Sequence, residues 1–151
     1  MHIGIESGVS ADIPSSALRG LFPAITISAT LAFLANRAVA RSIGETRAAL
    51  AAPVVEEVLK TVPAALLGSP IIPAHLAFGV VESAYDLWRS RRWGGTAALA
   101  SVLGHAAFGG ATAVAWRLTG SLAAGIGAGV SLHLLWNLLI TGGMSGAPQG
   151  D

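Results

Sequence analysis

Apolar residues in this chain fall into five runs, approximately Gly20–Asn36, Ala48–Leu67, Ile71–Trp88, Thr96–Trp116 and Ser121–Thr141. Each is 17–21 residues long, which as helix matches a hydrocarbon core of about 30 Å at about 1.5 Å per residue. A soluble helical bundle needs charged outer faces, and these runs have none. Backbone polar groups must be satisfied internally in lipid, so the runs are predicted to be helices. The expected fold is all-α: a polytopic membrane helix bundle with about five transmembrane helices.

The punctuation between the runs is short. Gly68-Ser69-Pro70 predicts a tight turn and Gly94-Gly95 another break. Pro23, Pro53 and Pro63 fall inside runs, where proline frees a carbonyl and tends to kink the helix. Pro53 and Pro63 bracket the most polar stretch, so a distorted site is expected there. Residues 1–17 read as an exposed lead-in without the basic start of a secretory signal. Residues 18–141 read as the transmembrane domain and 142–151 as a flexible Gly/Pro-rich tail. In the last run, Gly125 and Gly129 form a GxxxG pattern, which serves close packing within the chain or, less readily, a homo-oligomer.

Charge adds a direction. The first connecting loop carries Arg37, Arg41 and Arg47 and the third Arg89, Arg91 and Arg92; the second has no charge and the fourth only Arg117. The positive-inside rule makes the first and third connections cytoplasmic, with the N-terminus outside and the C-terminus cytoplasmic. Trp88, Trp93 and Trp116 fall near the predicted boundaries, where indoles prefer to sit. Over the 151 residues, 53% are hydrophobic and 11% charged, against about 25% charged in a soluble domain, and the mean hydropathy is +0.66. There is no cysteine, which excludes disulfides and thiolate chemistry. A net charge of +1 predicts no nucleic-acid partner; membrane lipids are the expected surroundings.

Against this background a few residues stand out. A charged side chain at mid-bilayer costs about 2.5–3.5 kcal/mol, yet Glu56, Glu57 and Lys60 lie in the second run and Glu82 in the third. His105 lies in the fourth, and His133 with Asn137 in the fifth. Glu56 is nine residues beyond Arg47, Glu82 seven before Arg89, His105 nine beyond Thr96 and His133 eight before Thr141. All four therefore lie roughly 10–14 Å from the cytoplasmic helix ends. A shared level is what a site, or a mutually satisfied polar cluster, requires.

Glu56 and Lys60, four apart, share a helix face and can pair; Glu57 points about 100° away and need not contact the same partner. Glu82 has Phe78 on its own face and Tyr85 three residues on, and His133 shares a face with Asn137. Each also has a plain structural reading: an ion pair fixing helix packing for Glu56 and Lys60, a partner for Lys60 in Glu82, an interhelical hydrogen bond for His133 and Asn137, a satisfied core histidine for His105. One ion pair leaves the second adjacent carboxylate unexplained, which favours function. His75, near the outer end of its run, is assigned no role, and Ser101, Ser131 and Thr112 are expected to bond backbone within their helices.

The segments Glu56-Glu57-Val58-Leu59-Lys60, Phe78-Gly79-Val80-Val81-Glu82-Ser83-Ala84-Tyr85, His105 and His133-Leu134-Leu135-Trp136-Asn137 resemble, in order and spacing, the motifs of PrsW-type intramembrane proteases. They are more distantly similar to the CAAX prenyl endopeptidases and their bacterial CPBP relatives, whose second motif ends in His where this chain has Glu82. The resemblance spans Ala52 to Leu139, and the chain is smaller than is usual for such proteins. It implies an endopeptidase of a prokaryotic plasma membrane acting on transmembrane or membrane-associated substrates. The catalytic set it implies is Glu56, Glu57, Glu82, His105, His133 and Asn137, supported by Lys60, Phe78 and Tyr85. In that scheme Glu56 activates a water, His133 and Asn137 stabilise the oxyanion, and His105 and Glu82 position the water or carry the proton. A metal-free mechanism is preferred; a zinc version would use His105, His133 and Glu56. The reading from another class is a small proton-coupled transporter, since intramembrane Glu/His chains also relay protons.

Overall fold

The computed structural model describes residues 15–89 and 94–144, which form five α-helices and no strand. They are α1 (Ser15–Ile43), α2 (Glu45–Leu66), α3 (Ile71–Arg89), α4 (Gly94–Thr119) and α5 (Leu122–Met144). Most helices overrun the apolar runs that predict them. Arg37 and Arg41 belong to the last turns of α1 and Arg47 to the first turn of α2, so the expected first loop is in fact the single residue Gly44. Hydrophobicity ends where the apolar solvent ends, but backbone hydrogen bonding does not, and long arginines on the terminal turns reach polar surroundings from a helix. Gly44 adopts φ 83°, a left-handed conformation that glycine enters without steric penalty. Ser15 to Ala17, read as lead-in, and Gly142 to Met144, read as tail, are helical as well. The rest of both termini, Arg91, Arg92 and Trp93 lie outside the described residues.

The Gly68-Ser69-Pro70 turn forms as expected: Ser69 N–H donates to Ala64 O at 2.8 Å and Leu67 N–H to Pro63 O at 3.0 Å. The distortion expected from Pro53 and Pro63 does not break α2, which is continuous through both. Among the described residues, three helices are long and apolar enough to cross a membrane: Arg19–Ile43, Gly95–Thr119 and Leu122–Leu139. α2 carries too much charge to meet that test, and the apolar part of α3, Ile71–Tyr85, is shorter.

Burial is inverted relative to a water-soluble protein. Phe22, Leu66, Trp88 and Leu118 are about four-fifths exposed, whereas Glu57, Thr61, His75 and Thr112 have no exposure and Lys60 1%. Such an apolar exterior around a polar interior is what a lipid solvent selects. Together with the three long apolar helices it makes the chain an all-helical membrane protein.

Small residues bring the helices together. α2 touches α1, α3 and α5, while α4 packs between α3 and α5. A Cβ added to Gly79 would lie 2.9 Å from the His105 Cβ, and one added to Gly109 would lie 2.7 Å from the His75 Cβ, so α3 and α4 approach as closely as glycine allows. Ser83 on α3 donates to Ala98 O on α4 at 2.7 Å. The GxxxG face of α5 is spent inside the chain: Gly125 abuts Trp116 and the Thr112 carbonyl, and Gly129 abuts Thr112 and Glu57.

Candidate active site

The glutamates and histidines in the interior of α2 to α5 form one connected cluster, and Lys60 is at its centre. Its Nζ donates to Glu57 Oε1 at 2.9 Å, His105 Nδ1 at 3.1 Å and Glu56 Oε2 at 3.4 Å. An ammonium has three protons, and here each has an acceptor. The Phe78 ring lies below it, 4.5 Å from Nζ to the centroid, adding a cation–π contact in a place closed to water. Because Lys60 only donates, His105 Nδ1 accepts, and the ring proton sits on Nε2. That Nε2–H donates to Glu82 Oε2 at 2.6 Å, and Ser101 Oγ donates to the same oxygen at 2.7 Å.

Glu57 is the second hub. Expected to point away from the Glu56–Lys60 pair, it instead shares Lys60 with Glu56, since a lysine at i+3 and i+4 can reach both carboxylates. Its Oε1 also accepts from His133 Nδ1 at 3.0 Å. The His133 ring stacks on Phe108, centroids 4.3 Å apart and 16° between planes, which fixes its orientation. His75, given no role from sequence, lies behind Glu57 with Nδ1 3.5 Å from Glu57 Oε2 and Nε2 3.1 Å from Thr61 Oγ1.

Glu56 is tied to the first helix, which the sequence left out of the site. Asn36 on α1 donates to Glu56 Oε1 at 2.7 Å. Two cavities meet at this point. One, about 390 Å³, lies between α1 and α3 and is lined by apolar residues with Asn36, Arg37, Glu56, Glu82 and Tyr85. The other, about 250 Å³, is bounded by Glu56, Glu82, Ser101, His105, His133 and Asn137. Glu56 and Glu82 line both. The Glu82 side chain is 40% exposed, whereas that of Glu57 is fully buried. The two carboxylates that face open space are thus Glu56 and Glu82, and Glu57 is internal.

Every residue of the expected catalytic set lies in or against this cluster. Glu56, Glu82, His105, His133 and Asn137 line the smaller cavity, Phe78 and Tyr85 the larger, and Glu57 and Lys60 tie them from beneath. Ser101, expected to bond backbone in its own helix, anchors Glu82 instead. Thr112, expected to do the same, has a buried hydroxyl with no hydrogen-bond partner. Ser131 does bond its own helix, to Gly127 O at 2.8 Å.

Glu56, Glu82 and His105 bring one ligand atom each within 4.8 Å of one another, and His133, in the set expected from sequence, lines the same cavity with its Nδ1 bonded to Glu57. One imidazole and two carboxylates suit a divalent cation in kind. The Lys60 ammonium, bonded to both Glu56 and His105, is a competing positive charge in the same place.

Asn36, Thr61, His75 and Ser101 are the members that sequence reasoning missed. Depth counting contained a signal for two of them: Thr61 is fourteen residues from Arg47 and His75 fourteen from Arg89, so they share a level. No protein-family model, curated protein or solved structure matches the chain.

Proposed function

We propose that this chain is an intramembrane endopeptidase that hydrolyses peptide bonds of membrane-associated substrates with carboxylate-activated water. The observation that carries the reading is the approach of Glu56, Glu82 and His105 to within 4.8 Å where two cavities meet. Two carboxylates at that spacing can bracket one water. Glu82, oriented through Oε2 by His105 and Ser101 and partly exposed, takes the water's proton together with, or in place of, Glu56. The hydroxide attacks the scissile carbonyl, and the proton passes to the departing amine. His133, held by Glu57 at Nδ1, offers Nε2–H to the oxyanion when the ring is protonated, with Asn137 on the same cavity wall. The competing charge of Lys60 favours the metal-free form over the zinc form. The cavity between α1 and α3 is the route by which an extended substrate reaches the carboxylates.

In this reading all five helices span the plasma membrane of a prokaryote. α2 crosses because Glu56, Glu57 and Lys60 face the other helices rather than lipid. The N-terminus is outside, the C-terminus cytoplasmic, and the site lies in the cytoplasmic half. The resemblance of the Glu56-Glu57, Phe78 to Tyr85, His105 and His133 to Asn137 segments to PrsW-type proteases supports the same reaction. The test is cleavage of membrane-protein substrates by purified protein in liposomes. Glu56→Gln and Glu82→Gln are each expected to lower the rate by about 10²–10⁴-fold, with activity of the parent retained after chelation. Unchanged cleavage in both variants rejects the proposal. A proton-coupled transporter is the second reading, favoured by the extension of the polar cluster to His75; loss of a pH-driven flux in the same variants would select it.

A further inference from the structure

Behind the site, three side chains with no exposure each carry a buried polar atom without a hydrogen-bond partner: Glu57 Oε2 on α2, His75 Nδ1 on α3 and Thr112 Oγ1 on α4. They are neighbours. Glu57 Oε2 and His75 Nδ1 are 3.5 Å apart. A Cβ added to Gly129 on α5 would stand 2.9 Å from Glu57 Oε2 and closer still to Thr112 Oγ1. Four helices therefore converge on one point, three with an unsatisfied polar atom and the fourth with a residue that has no side chain. An unpaired buried polar group costs about 1–3 kcal/mol, more if charged. Three such costs at one point are removed together by a single shared partner that both donates and accepts.

We infer that Glu57 Oε2, His75 Nδ1 and Thr112 Oγ1 bind one structural water molecule. Water is the ligand that fits the chemistry. Glu57 only accepts, the threonine hydroxyl does both, and a neutral imidazole nitrogen does one or the other. The water donates one hydrogen to Glu57 Oε2 and accepts from the Thr112 hydroxyl. It donates its other hydrogen to His75 Nδ1 when His75 carries its proton on Nε2, facing Thr61 Oγ1, or accepts from Nδ1–H in the other tautomer. Three polar partners lie within the range that holds buried water in proteins. With the water in place, hydrogen bonds run without a gap from Thr61 through His75 to Glu57 and on through Lys60 and His105 to Glu82. His75 becomes a positioning residue for Glu57, acting through the water. The inference rests on these contacts alone and is independent of whether the chain cleaves peptides.

Infrared difference spectra of the full chain in lipid, recorded in ordinary and in ¹⁸O-labelled water, test it. The expected result is an isotope-shifted stretch of a strongly bonded internal water that disappears in Thr112→Val and persists in Thr112→Ser. The first removes the hydroxyl at nearly constant volume and the second keeps it. Gly129→Ala, whose methyl group would displace the Thr112 hydroxyl and crowd Glu57 Oε2, is expected to remove the same band. If Gly129→Ala does not fold, the valine–serine comparison carries the test. Absence of any such band in the parent protein, or its survival in Thr112→Val, overturns the inference.

Discussion

Lys60 has 1% of its surface exposed, yet it is satisfied at every proton, by two carboxylates and an imidazole. Replacing it with methionine keeps the stem and removes the charge, leaving Glu56 and Glu57 uncompensated. Breaking a buried ion pair from one side costs about 3–5 kcal/mol, so Lys60→Met is expected to lower the unfolding free energy in mild detergent by that order. Lys60→Arg is not expected to rescue it, because a planar guanidinium cannot direct three protons as an ammonium does. The two adjacent glutamates are expected to separate by assay. Glu57→Gln, at a fully buried hub, lowers the melting temperature; Glu56→Gln, at the cavity wall, lowers activity while shifting melting far less. Thermal unfolding and cleavage rates on the same preparations check both.

At the scale of helices, the α3–α4 contact sets the His105–Glu82 geometry. Gly79→Ala puts a methyl group 2.9 Å from the His105 Cβ, and both atoms are fixed by helix backbone. Overpacking of this kind costs about 1–3 kcal/mol. The expected outcome is a lower melting temperature together with weakened catalysis, because the 2.6 Å His105–Glu82 bond depends on the same spacing. Five helices were legible from five hydrophobic runs, and among the described residues three of them are long and apolar enough to cross a bilayer. Their ends were not: Arg37 and Arg41 read as loop and are helix, since side-chain polarity reports solvent and not backbone bonding. The convergence of Glu56, Glu82, His105 and His133 was legible from depth alone. The place of Glu57 was not, because an angle on a helical wheel ignores the reach of Lys60. Asn36 was hidden because an asparagine at the end of an apolar run reads as a boundary, and only tertiary packing brings it to Glu56.

For the whole molecule, the arginine distribution and the absence of cysteine combine into a direct test of orientation. Ser42→Cys lies beside the α1–α2 connection and Thr119→Cys at the end of α4, and both native residues are exposed. In intact cells a membrane-impermeant maleimide is expected to label Thr119→Cys and not Ser42→Cys, with both labelled after lysis. The reverse pattern would put the Glu56–Glu82 site in the outer half of the bilayer.

The one-residue connection at Gly44 also bears on how the chain enters a membrane at all. A helix with Glu56, Glu57 and Lys60 near its middle is a poor candidate for partitioning alone, each charge opposing insertion by about 2.5–3.5 kcal/mol. A link of one residue denies α2 any life apart from α1, and Asn36 meets Glu56 across that hairpin. During synthesis the two helices are therefore expected to enter the membrane as a pair, the apolar first helix carrying the charged second. Fused to a glycosylation reporter, α2 alone is expected to fail to integrate, and α1 with α2 to succeed.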